Sequence, residues 1–260
     1  MRGRARRSPT APVVCQLTLP SWPALGNGLT LAVMVYMTAK TSGGKLNPAV
    51  SIGLLVSGSM TPLRCLMEVS MQVLGGILGA GFSKLLTQGT SVKIPIGVAM
   101  NQAVAADGSL LPYYSTIYET RPVSSPGCFT GGLQANGAQV FFWELITTFV
   151  LVSVVFATAV DDAAAGHFVS VAPLAIGLSL FACAQASGPY TGGCLNPARY
   201  LGPALVFAAN PECGPKTWPL FPSYIFGEII GGALVRPSSA LLRLMRLTGA
   251  ARRACCSSCA

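Results

Sequence analysis

Ser42-Gly43-Gly44-Lys45-Leu46-Asn47-Pro48-Ala49 and Thr191-Gly192-Gly193-Cys194-Leu195-Asn196-Pro197-Ala198-Arg199 carry one local signal twice. Across residues 43–53 and 192–202, seven of eleven positions are identical. Asn is a strong helix N-cap, because its side-chain oxygen accepts from the first free N–H groups of the helix. Pro suits the first helical position, where its missing N–H costs nothing. The glycine pair permits a tight turn. Each motif therefore predicts a helix start, and the repeat predicts two helix N-termini presented to one site. A helix N-terminus carries a partial positive charge of about half a unit. Two of them together oppose cations and protons, while the Asn amides offer donors to a passing neutral molecule.

The motifs lie in membrane-like sequence. The chain has 260 residues, of which 52% are hydrophobic and only 10% charged, and its mean hydropathy is +0.58. Soluble domains carry roughly 25% charged residues. Charge is lopsided, with 17 Lys and Arg against 8 Asp and Glu. Nine of the basic residues lie in the first seven positions or after Val235. They flank apolar spans, so they point away from nucleic acid, and the positive-inside rule places both tails in the cytoplasm. The nine cysteines show no metal-ligand spacing and no evident disulfide framework, and His167 is the single histidine. The cluster Cys255-Cys256-Ser257-Ser258-Cys259 reads either as an inert tail or as a palmitoylation site, the single histidine arguing against metal.

Five long apolar stretches read as spans: residues 22–39, 66–86, 140–160, 168–186 and 218–235. Two shorter ones, 49–56 and 198–208, follow the motifs. About 20 helical residues are needed to cross a bilayer, so these two read as re-entrant half-helices. Irregular backbone at that depth must line a cavity or be buried in protein. The expected organisation is a basic tail over 1–21, a first repeat over 22–87 and a long polar loop over 88–136. A second repeat follows over 137–235, then a basic, cysteine-containing tail over 236–260. The repeat reaches upstream: Gly28 lies 19 residues before Asn47, and Gly177 lies 19 before Asn196. Duplicated halves of this kind meet at a transport site. Glu144 lies 33 residues before Gly177, whereas the equivalent first-half position falls near −5, before Met1. The first half therefore reads as lacking its first span. A sequence truncated at its start, a wrong tail assignment and a five-span variant all fit.

With both motifs and their flanks in place, the chain resembles the aquaporins, the major intrinsic protein family. The likeness runs over about residues 26–235 and is densest at residues 170–205. It implies an all-α integral membrane fold, an inverted repeat with two re-entrant half-helices, of which five of six spans are recognisable here. It also implies one pore per subunit, assembly as a homotetramer in a lipid bilayer, and passive passage of water or small neutral solutes. No cofactor or metal is implied.

The resemblance places Asn47, Pro48, Ala49, Asn196, Pro197 and Ala198 at the pore centre. Arg199 matches the arginine of the family's selectivity constriction, where it would donate to the permeant and repel cations. Spacing from the motifs puts the other constriction positions at Asn27, Ala184 and Gly193. Strict water channels carry an aromatic and a histidine at the first two, so a wider, more polar constriction is expected, open to hydrogen peroxide, ammonia, urea or glycerol. Tyr200 and Ala204 instead resemble the water-channel subgroup, and Tyr224-Ile225 keeps half of its aromatic pair. Cys194 is read as a thiol-blocking site, with Cys183 a second candidate. Glu144 is expected to brace the backbone of the second pore loop. Lys45 reads either as facing the cytoplasmic vestibule or, by preference, as solvated, and the Asp161-Asp162 pair reads as solvated. Arg236 and Pro237 interrupt the last span, and Glu228 reads as lying at lipid depth within it.

No nucleophile–base set, phosphate loop or metal cluster supports an enzyme, and no second buried acid joins Glu144 to couple a proton. The leading expectation is a passive multi-pass channel of the plasma membrane or an intracellular membrane. The alternative is a truncated, non-conducting partner that alters assembly of full-length relatives.

Overall fold

The structure, a computed structural model, describes residues 22–87, 91–104, 110–122, 127–131, 135–160, 170–211 and 213–235. The two basic tails, His167, the Asp161-Asp162 pair and the 255–259 cysteine cluster lie outside the described residues.

The first repeat supplies α1 (Trp22–Ser42), α2 (Pro48–Val56) and α3 (Pro62–Thr87). The second supplies α4 (Gly137–Val155), which continues as a π-helical turn over Phe156–Val160, then α5 (Ala172–Thr191) and α6 (Pro197–Val206). A short α7 (Gly214–Thr217) and a 3-10 turn, Trp218–Leu220, lead into α8 (Phe221–Ala233). Two helical stretches, Pro62–Thr87 and Gly137–Val160, are long and apolar enough by themselves to cross a bilayer. In the most apolar window of α3 only 11% of residues are buried, and its outer face shows Leu63, Leu66, Met67, Met71, Leu74, Leu78 and Phe82. Such a stripe suits lipid or another helix, not water.

The helical body matches the all-α expectation, but the linker between the halves is more than a loop. An antiparallel ribbon pairs β1 (Ser91–Val104) with β2 (Leu110–Pro122), with a register irregularity between Pro95 and Gly97. β-branched and aromatic residues such as Val92, Ile94, Tyr113, Tyr114, Ile117 and Tyr118 favour extended backbone there.

The two repeats interlock. Glycine permits the backbones to approach closely where they cross. A side chain at Gly28 of α1 would meet Gly177 O of α5 at 2.5 Å. One at Gly76 of α3 would meet Ala198 O of α6 at 2.5 Å, and one at Gly53 of α2 would meet Gly232 O of α8 at 2.9 Å. Each half-helix thus packs on the last span of the opposite repeat, which aims both N-termini inward. The halves are not equally clothed. Gly227 and Gly231 of α8 lie against α4, whereas a side chain at Gly75 or Gly79 of α3 would meet nothing within 4 Å among the described residues.

The tails expected in the cytoplasm lie outside the described residues, but the ends of the described body can be placed. Pro23 and Ala24 share a cavity with Gly188 and Arg199, while Val235 packs with Leu54 and Met60 beside α2. The chain enters and leaves the body at opposite faces.

Candidate functional site

α2 and α6 meet nose to nose. Asn47 caps α2, its side-chain oxygen accepting from the Ala49 N–H at 2.9 Å. Asn196 caps α6, accepting from Ala198 N–H at 3.0 Å and Arg199 N–H at 3.3 Å. The amide nitrogens then cross. Asn47 Nδ2 donates to Leu195 O at 2.7 Å, and Asn196 Nδ2 donates to Leu46 O at 3.0 Å. A primary amide has two N–H donors, so each cross-link leaves a second hydrogen for another acceptor. Each glycine pair lies in the left-handed region, with φ of 84° and 66° at Gly43 and Gly44 and 83° and 63° at Gly192 and Gly193. That conformation turns the chain into each cap and favours glycine at both positions.

The second pore loop is held by two carboxyl groups. Glu144 of α4 is fully buried and accepts from Cys194 N–H at 3.2 Å and Leu195 N–H at 2.8 Å. Glu228 of α8 is also fully buried, and accepts from Asn196 N–H at 3.0 Å. At its depth within the last span Glu228 points into the body, where the Asn196 backbone N–H answers it. Leu195 between them has φ of 55°, the one non-glycine residue of positive φ among the described residues. A left-handed leucine costs about 1–2 kcal/mol, and three consecutive N–H···carboxyl bonds offset that cost.

The first pore loop is held differently. Among the described residues no side-chain acceptor meets the N–H of Lys45, Leu46 or Asn47. Gln72 of α3 instead donates to Lys45 O, and to Ser51 Oγ at 3.0 Å. Lys45 is not solvated as its sequence context suggests: its Nζ lies 2.9 Å from Glu68 Oε1, and its side chain is 12% exposed. Arg64 Nε donates to the same oxygen at 2.9 Å.

Arg199 stands between two cavities. The smaller, about 300 Å³, is lined by Asn27, Ala184, Gly188, Gly192 and Arg199 among others. The larger, about 730 Å³, runs along α3 from Glu68 past Gly76 to Ser83, with Lys45, Asn196 and Arg199 also in its lining. Arg199 donates to Gly193 O at 2.6 Å and Cys194 O at 3.2 Å. A side chain at Gly193 would meet Ala184 Cα at 2.7 Å. Asn27, Ala184, Gly193 and Arg199 are therefore gathered in one place, and the buried Asn27 Nδ2 has no partner among the described residues.

Other site residues carried no signal in the sequence reading. Phe129 is buried, with its ring 4.6 Å from the Arg199 guanidinium carbon, an arrangement in which the ring face attracts the cation. It also packs on Tyr200 and Tyr224. The neighbouring Cys128 is disulfide-bonded to Cys213, 85 residues away, which corrects the expectation of no disulfide. Cys194 is fully buried and lines neither cavity, with its Sγ 3.4 Å from Asn196 O. A sulfur so placed does not fit the expected thiol-blocking site.

Comparison with known proteins agrees with this geometry. A family model described as Major intrinsic protein matches residues 21–236. A probable TIP-type aquaporin of Nicotiana tabacum is 35% identical over 214 residues, which is 81% of this chain and 67% of that protein. Aquaporin TIP2-2 of Zea mays is 34% identical over the same shares of the two chains. Among solved structures, the aquaglyceroporin of Plasmodium falciparum superposes with a TM-score of 0.58 at 22% identity, over 85% of this chain and 84% of that one; this likeness speaks to the fold. On the family match and these relatives, the chain belongs to the major intrinsic protein family and is a multi-pass membrane protein.

Proposed function

We propose that this chain is a passive transmembrane channel for water, admitting small neutral solutes as well. The observation that carries the reading is the reciprocal pairing of Asn47 and Asn196, each capping its own half-helix and donating across to the other loop. Each amide keeps one donor for a permeant. The two positive helix ends behind them oppose a cation or a proton, and the Arg199 guanidinium adds a full charge where the two cavities meet. Asn47, Pro48, Ala49, Asn196, Pro197 and Ala198 form the centre of the path, and Asn27, Ala184, Gly193 and Arg199 form its constriction. Glu144 serves as the brace of the second loop. With one amide and no aromatic ring at the first three constriction positions, the opening is wide enough for glycerol, urea, ammonia or hydrogen peroxide.

Orientation follows from two features. Disulfides persist in oxidising compartments, so the Cys128–Cys213 face belongs to the exterior or a lumen. Lys45 and Arg64 meet on Glu68 at the opposite end, basic side chains that suit a cytoplasmic face. The exposed apolar faces of α1 and α3 suit lipid and the subunit contacts of a homotetramer. Relatives named as aquaporins favour a conducting protein over a non-conducting partner. The test is stopped-flow light scattering of proteoliposomes, first under an osmotic gradient and then under isotonic gradients of glycerol and urea. Protein-dependent flux for water and for at least one solute is expected. Water flux alone would overturn the wide-constriction reading, and no flux would overturn the channel.

A further inference from the structure

We infer that Glu228 is a positioning residue of the permeation site, holding Asn196 in the orientation in which its amide faces the path; this rests on the channel reading above. Three observations converge. Glu228 is fully buried, so its carboxyl sits there at the cost of desolvation and needs a compensating contact. Its Oε1 accepts from the Asn196 N–H at 3.0 Å, the Cys194 side chain also faces the carboxyl, and the buried Oε2 makes no hydrogen bond of good geometry among the described residues. Asn196 is the residue whose side chain both caps α6 and reaches Leu46 O of the other loop. Glu144 ends its grip one residue earlier, at Leu195. Without Glu228, Asn196 would follow a left-handed leucine with its own N–H unanswered, and its peptide would be held from the carbonyl side alone, by Asn47 Nδ2 on Leu195 O.

The repeat shows what the acid replaces. Gly232 of α8 lies on Ala49 of α2, and Gly76 of α3 lies on Ala198 of α6. Matching these two contacts pairs Glu228, four residues before Gly232, with Gln72, four residues before Gly76. Gln72 supports its loop by donating to the Lys45 carbonyl and to Ser51. Glu228 supports the other loop by accepting from an N–H. One structural position thus serves both entrances with opposite hydrogen-bond polarity. The role at Asn196 requires an acceptor, which an amide oxygen also provides, and not a charge.

The test compares Glu228→Leu and Glu228→Gln in full-length protein, each purified and checked for a single sharp elution peak. Osmotic water permeability per reconstituted molecule is one readout, and hydrogen exchange of the 193–198 backbone, by mass spectrometry, is the other. For Glu228→Leu we expect water permeability to fall by about tenfold, from the loss of the acceptor that answers the Asn196 N–H, and exchange at Asn196 to rise by about the same factor. The Leu195 amide, held by Glu144, should stay protected. Glu228→Gln should recover most of both. Unaltered permeability in a conducting Glu228→Leu protein would overturn the inference, as would Glu228→Gln failing on both readouts. If the unaltered chain does not conduct, the channel reading fails by itself, and exchange at Asn196 decides the Glu228 assignment. If Glu228→Leu does not fold, the Gln variant decides through the same pair of readouts.

Discussion

The two pore loops share Gly-Gly-x-Leu-Asn-Pro-Ala, yet they are held in opposite ways. The second loop has three consecutive N–H groups bound to carboxyls from α4 and α8, and its leucine is left-handed. The first has an amide donating into a carbonyl, and an ion pair at its edge. Its leucine, Leu46, is not among the residues of positive φ. A motif of this kind specifies where a helix starts and which atoms face inward. It does not specify what clamps the turn before it. That is left to side chains from distant spans, and here the constriction arginine belongs to the more heavily clamped loop.

The sharpest way to break this comparison is to remove the second loop's clamp. Glu144→Leu leaves two buried N–H groups without acceptors, at about 1–3 kcal/mol each. The loss should be about 4 kcal/mol in all, read as a large drop in the detergent melting temperature. Gln72→Leu in the first loop should cost less than half as much. Equal losses would mean that the loops are equivalent despite their different partners.

That asymmetry explains what the sequence disclosed. The half-helix starts follow from local spacing, because a cap, a proline and a positive-φ turn are encoded within about ten residues; the proposed constriction positions and the Glu144 brace come from the family resemblance, since Glu144 lies 50 residues from the loop it touches. Glu228 gave no such signal: one acid in a glycine-rich apolar stretch looks like damage until the turn it faces is known. Cys128 and Cys213 are 85 residues apart, and Phe129 reaches Arg199 only through the fold. Lys45 looked solvated because Glu68 lies a whole half-helix away. The ribbon was legible in part, since Asp107-Gly108 between two β-branched runs is a strong hairpin signal, but the Pro, Gly and Ser content of the linker argued for a loop.

A smaller effect is expected at the disulfide, which tethers the segment bearing Phe129 to the chain beyond α6. Cys128→Ser with Cys213→Ser should lower stability by roughly 2–4 kcal/mol and loosen Phe129 over Arg199, on the second-loop side. Glycerol flux should rise relative to water flux in the paired variant. An unchanged ratio would mean that Phe129 does not narrow the constriction.

The smallest effect should come from the first loop's ion pair. Lys45 and Glu68 are mostly buried, but Arg64 holds the same Glu68 oxygen, so loss of the lysine leaves the carboxylate paired and costs about 1 kcal/mol. Lys45→Met should shift the melting temperature by only a degree or two and leave water flux within about twofold of the unaltered chain. A collapse of flux would show that the first loop depends on its ion pair as strongly as the second depends on its carboxyls.

The central claim is that water crosses between Asn47 and Asn196 and past Arg199. It is tested most directly by osmotic swelling of proteoliposomes carrying the purified chain, beside Asn196→Asp and Arg199→Ala. The account predicts fast swelling with a low activation energy for the unaltered chain. Water flux should fall sharply in Asn196→Asp, whose carboxylate cannot donate to Leu46 O, and proton leak should rise in Arg199→Ala. Swelling no faster than in empty liposomes, from protein shown to be folded, or flux indifferent to both substitutions, would contradict it.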